Sequence, residues 1–472
     1  MTQSSGETQE KRAGFWQAVR EALIGTGRDF TEDKVGKAIL ILAAPMVLEM
    51  CMESLFGVVD VFWVARLGAD AMATVGLTES MLTILFAVAL GLSMAATATV
   101  ARRVGEKNPL AAGRVAVQAI AVGIAVSAAI GITGYFTATR LLRAMGASDA
   151  LIQTGSGYTR MILGGSVTIF LLFVINAVFR GSGDATTAMR ALWLANIVNI
   201  LLNPCLIFGW GPFPRMGVTG SAVGTTIGRG IGVLFQLWVL TTGRSRVRIG
   251  VDQLRLDFAV MTRLVRLSLG GMFQYFVQVA SWIGLVRIVS TFGSPAIAGY
   301  TLALRIVIFA ILPSWGLSNA AATLVGQNLG AGKPDRAEHS VWLAGFYNLV
   351  FLGSVGLMFI LFAERLVAIF TLDPFVTPVA VTCLRYLSYG YFSYAYGMVI
   401  AQAFNGAGDT VTPTILNFFC YWLCQIPLAF WLAYYTGLGA SGVFVAVVVS
   451  DTLLAVGGIV MFRRGTWKTR TV

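Results

Sequence analysis

Apolar residues gather in twelve windows along the chain, beginning near residues 38, 72, 113, 154, 186, 218, 264, 296, 339, 380, 412 and 439. Each can supply the run of about 20 residues that a helix needs to cross the hydrocarbon core of a bilayer. Six windows fall in each half. Within a window the apolar residues surround the whole helix and are mostly Leu, Val, Ala and Gly. A strand of a membrane barrel would instead alternate with period two over about ten residues. The pattern predicts an all-α polytopic membrane protein with twelve transmembrane helices.

The pattern is also repeated. Gly91-Leu92-Ser93 recurs as Gly316-Leu317-Ser318, Gly105 and Pro109 recur as Gly330 and Pro334, and Gly181-Ser182-Gly183-Asp184 recurs as Gly406-Ala407-Gly408-Asp409, all at an offset of 225. A constant offset over more than a hundred residues points to an internal duplication, an arrangement common in secondary transporters. An even helix number per repeat makes both halves enter the membrane in the same sense, so two pseudo-symmetric six-helix bundles are expected. The divisions read from the sequence are an N-terminal segment 1–37, a first lobe 38–242, a basic linker 243–262, a second lobe 263–463 and a tail 464–472.

Only 12% of the residues are charged and 57% are hydrophobic, which fits a bilayer and not a water-facing surface. The formal net charge of +12 would suggest nucleic acid in a soluble protein. Here the cations collect after the second window (Arg102, Arg103, Lys107, Arg114), between the halves (Arg244 to Arg266) and at the end (Arg463, Arg464, Lys468, Arg470). The positive-inside bias places those loops and both termini in the cytoplasm, and the basic excess is read as topology with no nucleic-acid partner. The N-terminal segment is polar and charged, unlike a cleaved signal peptide, although Phe15, Trp16, Val19 and Leu23 would suit an amphipathic helix at the membrane surface. One histidine, His339, leaves no Ser-His-Asp triad, HExxH or zinc site, and no P-loop is present, which argues against an enzyme or an ATP-driven pump. The five cysteines lie in or beside apolar windows and read as small packing residues.

Charges inside the bilayer cost a few kcal/mol each on insertion scales and mark ion or substrate paths. The first helix carries three. Glu49, Glu53 and Asp60 lie four and seven residues apart, within roughly 40° of one another on a helix, so they form one stripe. They either line an ion path or pair with a buried cation such as Arg229. The fifth helix carries Asn196, Asn199 and Asn203 at spacings of three and four, with Pro204 loosening the backbone beside them. Those amides suit a hard cation or a carboxylic acid, or simply polar packing between helices. Arg229 and Asp451 occupy equivalent places in the halves, at an offset of 222, with opposite signs, and are read as members of structural ion pairs.

Taken together, Pro45 and Asp60, the Gly91-Leu92-Ser93 segment and its repeat, Arg180-Gly181-Ser182-Gly183-Asp184 with Asn405-Gly406-Ala407-Gly408-Asp409, and Asn199-Ile200-Leu201-Leu202-Asn203-Pro204 resemble the multidrug and toxic compound extrusion (MATE) family of cation-coupled antiporters. The likeness runs from about residue 35 to 463. Its DinF-like branch is the nearer one. In that branch an acid of the first helix carries the coupling proton or sodium ion, and the match falls on Asp60. Asn199 matches the asparagine of that site, Asn203 replaces a second family acid, Thr225 matches a threonine of the sixth helix, and Glu53 stands where the family has a glutamine. The glutamate that the NorM-like branch carries in its seventh helix is replaced by Gln278, and Tyr391, Tyr394 and Tyr396 lie near the place of its tenth-helix acid.

The resemblance implies a secondary antiporter of the prokaryotic cytoplasmic membrane. It would act as a monomer among membrane lipids and export small organic, cationic drugs or toxic metabolites by alternating access, one bundle rocking against the other with bend points at Pro45 and Gly57. Asp60, Glu53, Asn199, Asn203 and Thr225 are the expected cation-coupling residues. Glu49, Phe56, Asn196, Gln274, Gln278, Tyr391 and Tyr394 are the expected substrate wall, the aromatic members suited to flat cations. No cofactor is expected beyond the coupling ion, H⁺ or Na⁺. Protons are favoured, because a sodium ion held by Asp60 and Asn199 would want the negative charge that Asn203 lacks, and Glu53 is the residue that could restore it. A flippase for a lipid-linked or amphipathic substrate is the alternative, although its pyrophosphate would favour a cationic cavity.

Overall fold

The computed structural model describes residues 20–25 and 28–472. Phe15, Trp16 and Val19 of the expected surface helix lie outside the described residues. Twelve long helices account for nearly all of the rest: α1 (Val35–Ala65), α2 (Ala69–Gly105), α3 (Pro109–Ala144), α4 (Asp149–Ser182), α5 (Ala185–Phe208), α6 (Val218–Thr242), α7 (Phe258–Ser290), α8 (Ser294–Gly330), α9 (Pro334–Ala368), α10 (Val376–Ala407), α11 (Val411–Tyr435) and α12 (Ala440–Arg463). There is no strand among the described residues. Eleven of the twelve are long and apolar enough to cross a membrane. The twelfth, α10, is 32 residues long and diluted by tyrosine, serine, glutamine and asparagine.

The duplication is visible in backbone angles. Gly68 and Gly293, which precede α2 and α8, have φ of 101° and 95°. Gly183 and Gly408, which end α4 and α10, have φ of 86° and 85°. Gly217 and Gly439, which precede α6 and α12, have φ/ψ of 59°/−140° and 56°/−137°. Left-handed φ is free for glycine and costly for other residues, so these turns fix glycine in both halves. Lys107 shows the cost being accepted, with φ 56° where its repeat mate Gly332 has 69°.

The described residues fold into two compact units, one of residues 20–25, 28 and 48–272, the other of residues 29–47 and 273–472. The units part within α1, two residues past Pro45, and within α7, just past Gly271. The two parting points are themselves 225 residues apart, so each repeat gives the start of its first helix to the other unit. Repeated glycines receive those starts. A Cβ on Gly91 of α2 would sit 2.6 Å from the Ser268 carbonyl oxygen of α7, and one on Gly316 of α8 would sit 2.7 Å from the Met46 carbonyl oxygen of α1. Only a residue without a side chain lets the backbones meet so closely. The segment 243–262 packs within the first unit, where the Gln118 amide nitrogen donates to the Arg255 carbonyl and its oxygen accepts from the Asp257 amide.

Each unit has its own apolar core. In the first, Leu92, Val100, Ile175, Phe179, Leu192 and Leu240 belong to one cluster, and Val75, Leu85, Tyr158 and Phe170 to a second. In the second unit, Tyr300 stacks on Phe444 at 5.9 Å within a cluster that includes Leu285, Leu352, Leu384 and Val443. The C-terminal tail is packed as well: Trp467 is fully buried, lies 4.6 Å from the Phe462 ring and donates from Nε1 to the Phe462 carbonyl. Lys468 pairs with Asp335 and Glu338 at 3.2 and 2.6 Å, and Glu338 holds its ammonium above the ordinary lysine range.

Replacing Gly91 or Gly316 by valine should destabilise the folded protein by about 1–3 kcal/mol, the usual range for an overpacked contact. Gly57→Ala, whose added methyl meets nothing within 4 Å, should be neutral or slightly stabilising. Thermal unfolding of the purified variants in detergent checks both. Equal melting of Gly91→Val and wild type would overturn the close-approach account.

Candidate functional site

The three carboxylates of α1 end in three different surroundings, all within the first unit. Glu49 is 1% exposed and accepts from Arg180 Nη1 at 2.8 Å and Asn176 Nδ2 at 3.1 Å, both on α4. Gln236 of α6 donates to Asn176 Oδ1 at 2.6 Å, so Glu49 Oε1 sits in a network spanning three helices, while Glu49 Oε2 and Gln236 Oε1 are buried without a hydrogen-bond partner. Arg180 belongs to the Arg180-Gly181-Ser182-Gly183-Asp184 turn, where Gly181 lets α4 approach Thr97 of α2, its absent Cβ lying 2.7 Å from that carbonyl oxygen. Glu49 is therefore the neutralised partner of an arginine.

Glu53 lies one turn further along and is partly exposed. Its carboxylate is 4.0 Å from the Arg229 guanidinium of α6. The same guanidinium lies over the Phe56 ring at 5.7 Å. The pairing with Arg229 that the sequence left open is thus present for Glu53.

Asp60 is held by hydroxyl and amide donors. Its Oδ1 accepts from Ser221 Oγ at 2.7 Å and from Asn203 Nδ2 at 2.8 Å. Asn203 Nδ2 also donates to Asn199 Oδ1 at 3.1 Å, and Asn199 Nδ2 donates to Thr225 Oγ1 at 2.8 Å. The result is a chain from α1 to α5 to α6, with Asn199, Asn203 and Ser221 at 2% exposure or less. Arg229 is close enough to Asp60 to act on its charge. Asn203 Oδ1 is the one atom of the chain that is buried with no hydrogen-bond partner.

Glycines let α6 come near enough for this. The absent Cβ atoms of Gly224 and Gly228 would lie 2.5 Å from Asn203 Oδ1 and 2.5 Å from the Ala195 carbonyl. Ser221, Thr225 and Arg229 follow at spacings of four on the same face of α6, so all three look toward α1 and α5. Ser221 was missed from the sequence, although its spacing from Thr225 was the available signal. Thr225 touches Asn199 rather than Asp60. Asn196 is buried at 2% exposure with its amide nitrogen unpartnered.

The remaining wall residues belong to the second unit. Gln274 and Tyr391 are buried, at 8% and 3% exposure, each with a side-chain oxygen lacking a partner. Gln278 hydrogen-bonds Tyr421 of α11. Asp451 of α12 accepts from the Tyr421 hydroxyl at 3.3 Å and pairs with no cation among the described residues, in contrast to the ion pair expected of it. No group of three or more His, Cys, Asp or Glu is placed to hold a metal among the described residues, and all five cysteines are free.

Comparison with known proteins gives these clusters a setting. The MatE family model matches residues 45–205 and again 271–431. A Thermotoga maritima protein named probable multidrug resistance protein NorM is 27% identical over 450 residues, spanning 93% of this chain and 94% of its own length. A Shewanella oneidensis FAD transporter is 23% identical over 425 residues, spanning 89% of this chain and 93% of its own. Among solved structures, MATE in the bent conformation has a TM-score of 0.86 at 27% identity, covering 92% of this chain and 96% of that one. A Pyrococcus furiosus transporter of the MOP superfamily, described as having a binding pocket of reverse polarity that suggests a different function, has a TM-score of 0.87 at 26% identity, covering 94% and 98%.

Glu49→Ala should lower stability by about 3–5 kcal/mol, because it strands the buried Arg180 charge. Chemical or thermal unfolding of the purified variant measures this. A loss smaller than that of Glu53→Ala, whose own carboxylate is partly exposed and stands 4.0 Å from its arginine, would contradict the assignment of Glu49 as a structural ion.

Proposed function

Because the chain belongs to the MatE family, we propose that it exports organic cations in exchange for protons, and that Asp60 is the carboxyl group that takes up and releases the proton. Membership makes the protein an integral membrane, ion-coupled efflux antiporter of the MOP superfamily and not an enzyme. Its bacterial relatives carry multidrug-resistance names, which supports drug-like substrates and the cytoplasmic membrane as its location. Both termini are assigned to the cytoplasm from the distribution of cations. The transport lobes are assigned as 38–242 and 263–463, and a monomer is taken as the working unit.

The observation that carries the reading is the hydrogen-bonded chain from Asp60 through Asn203 and Asn199 to Thr225. Both groups bonded to Asp60 Oδ1 are donors, which is the complement of an ionised carboxylate. Neutral Asp60 has a hydrogen to donate, and the buried, unpartnered Asn203 Oδ1 is the acceptor nearest to hand once that amide turns over. Protonation thus gives the unpartnered Asn203 Oδ1 a donor and exchanges one hydrogen-bonded arrangement of Asp60 for another.

A sodium ion fares worse there. It wants several oxygens and net negative charge, whereas it would meet the amide hydrogens of Asn203 and the like charge of Arg229, which Glu53 only partly offsets. The same pattern supports the DinF-like branch: the acid lies on α1 with Asn199 and Thr225 behind it, and the NorM-like position on α7 is Gln278. Within the first unit Phe56 and Asn196, and within the second Gln274, Gln278, Tyr391 and Tyr394, are the residues we assign to substrate, and Glu53 is kept with the coupling residues. A cation leaves when the proton removes the charge that attracted it, which is the exchange an antiporter needs.

Asp60→Asn should abolish gradient-driven efflux of a fluorescent organic cation from proteoliposomes and leave the protein folded, because Asn keeps the shape of the hydrogen-bonded group. Ser221→Ala should retain transport with a shifted pH dependence. Wild-type efflux by Asp60→Asn at a fixed proton gradient would remove Asp60 from the mechanism. Efflux driven by an inward sodium gradient at equal internal and external pH would overturn the proton.

A further inference from the structure

The repeat brings a second polar cluster to the corresponding place in the other unit. Shifted by 225, Glu53 corresponds to Gln278 and Asn196 to Tyr421; shifted by 222, Arg229 corresponds to Asp451. In the first unit the equivalent cluster holds a carboxylate and a guanidinium that offset each other. In the second it holds Asp451 with Tyr421 and Gln278, and no cation pairs with the acid among the described residues.

The backbone around it is arranged for this contact. Residues Phe418–Gln425 of α11 form a π-helical segment directly before Pro427. A proline cannot supply an amide hydrogen, and its ring crowds the carbonyl of the preceding turn; a widened turn relieves both. π-segments are frequent at functional sites. This one carries Tyr421, which donates to Asp451, and Gln425. Gln425 Oε1 accepts from Ser281 Oγ of α7 at 2.8 Å, and its Nε2 donates to Ser450 Oγ, next in sequence to Asp451, at 2.8 Å. Tyr394 of α10 and Cys420 of α11 also lie within electrostatic reach of Asp451. Two tyrosines and a thiol thus lie around the acid, with Gln425 and two serines bonded to one another beside it, and none of these groups is basic.

We propose that Asp451 is a second proton-exchanging site, located in the second unit and independent of Asp60. A carboxylate kept in a membrane without a cation must be neutralised, and a proton is the smallest species that does so. The surroundings hold neither the several carboxylates nor the oxygen cage of a metal site. Tyr421 stabilises the ionised form through its hydroxyl, so the acid has a partner in that state too. The proposal adds a site to the antiport reading and does not rest on Asp60 being the other one.

The test is infrared titration of the carboxylic-acid C=O band in the full-length protein in lipid vesicles, from mildly alkaline to mildly acidic pH. Asp60→Asn should keep a band that appears reversibly on acidification, and Asp60→Asn/Asp451→Asn should lose it. Tyr421→Phe in the Asp60→Asn background should preserve the band but shift its frequency and its midpoint, and this variant decides the matter if Asp451→Asn does not fold. A band unaffected by both Asp451→Asn and Tyr421→Phe, or one that never changes with pH, would overturn the proposal. Failure of the Asp60 assignment is separately visible: it would leave the Asp451→Asn spectrum without any titrating band and the Asp60→Asn transport intact.

Discussion

A charge inside a bilayer has to be answered locally, and this fold is organised by how α1 answers three of them. Each carboxylate would cost several kcal/mol if left alone in hydrocarbon. Glu49 is met by Arg180 and one amide side chain, Glu53 by Arg229, and Asp60 only by neutral hydrogen-bond donors. The first ties α1 to α4 through Arg180. The last is met by groups that can change their hydrogen bonds with its charge. The proton exchange we propose therefore falls to the acid with the weakest electrostatic partner and the most adaptable hydrogen bonds.

Much of this was legible in the sequence because it is periodic. Twelve apolar windows gave the helices, a constant offset gave the duplication, and spacings of three and four put Asn199 and Asn203 on the face that meets Asp60. What escaped was set by tertiary approach. Whether Glu49 or Glu53 would accompany Asp60 depended on which arginine each could reach, and Arg180 and Arg229 lie on helices more than a hundred residues away along the chain. Ser221 is a common residue in a helix, and only the closeness permitted by Gly224 and Gly228 turns its hydroxyl into a ligand of Asp60. Asp451 looked like half of an ion pair because its repeat mate Arg229 is one, yet its own neighbours are tyrosines.

Duplication preserved geometry more faithfully than chemistry. The left-handed glycines at the helix ends agree to within a few degrees between halves, since a backbone turn tolerates no other residue cheaply. Side chains in the polar clusters were free to diverge, and the sign of the charge at the α6 and α12 positions inverted. The same scaffold therefore presents two electrostatic environments.

The helix starts exchanged between the compact units carry a mechanical consequence. Residues 29–47 are continuous in backbone with Asp60 but pack in the other unit, and residues 258–272 stand in the mirrored relation to Gln278. The first unit's apolar core takes Leu264 from the start of α7. Severing the chain between the halves would leave each fragment short of a helix end. A torsion entering α1 at one end reaches the Asp60 end along covalent bonds, with no side chain needed to relay it.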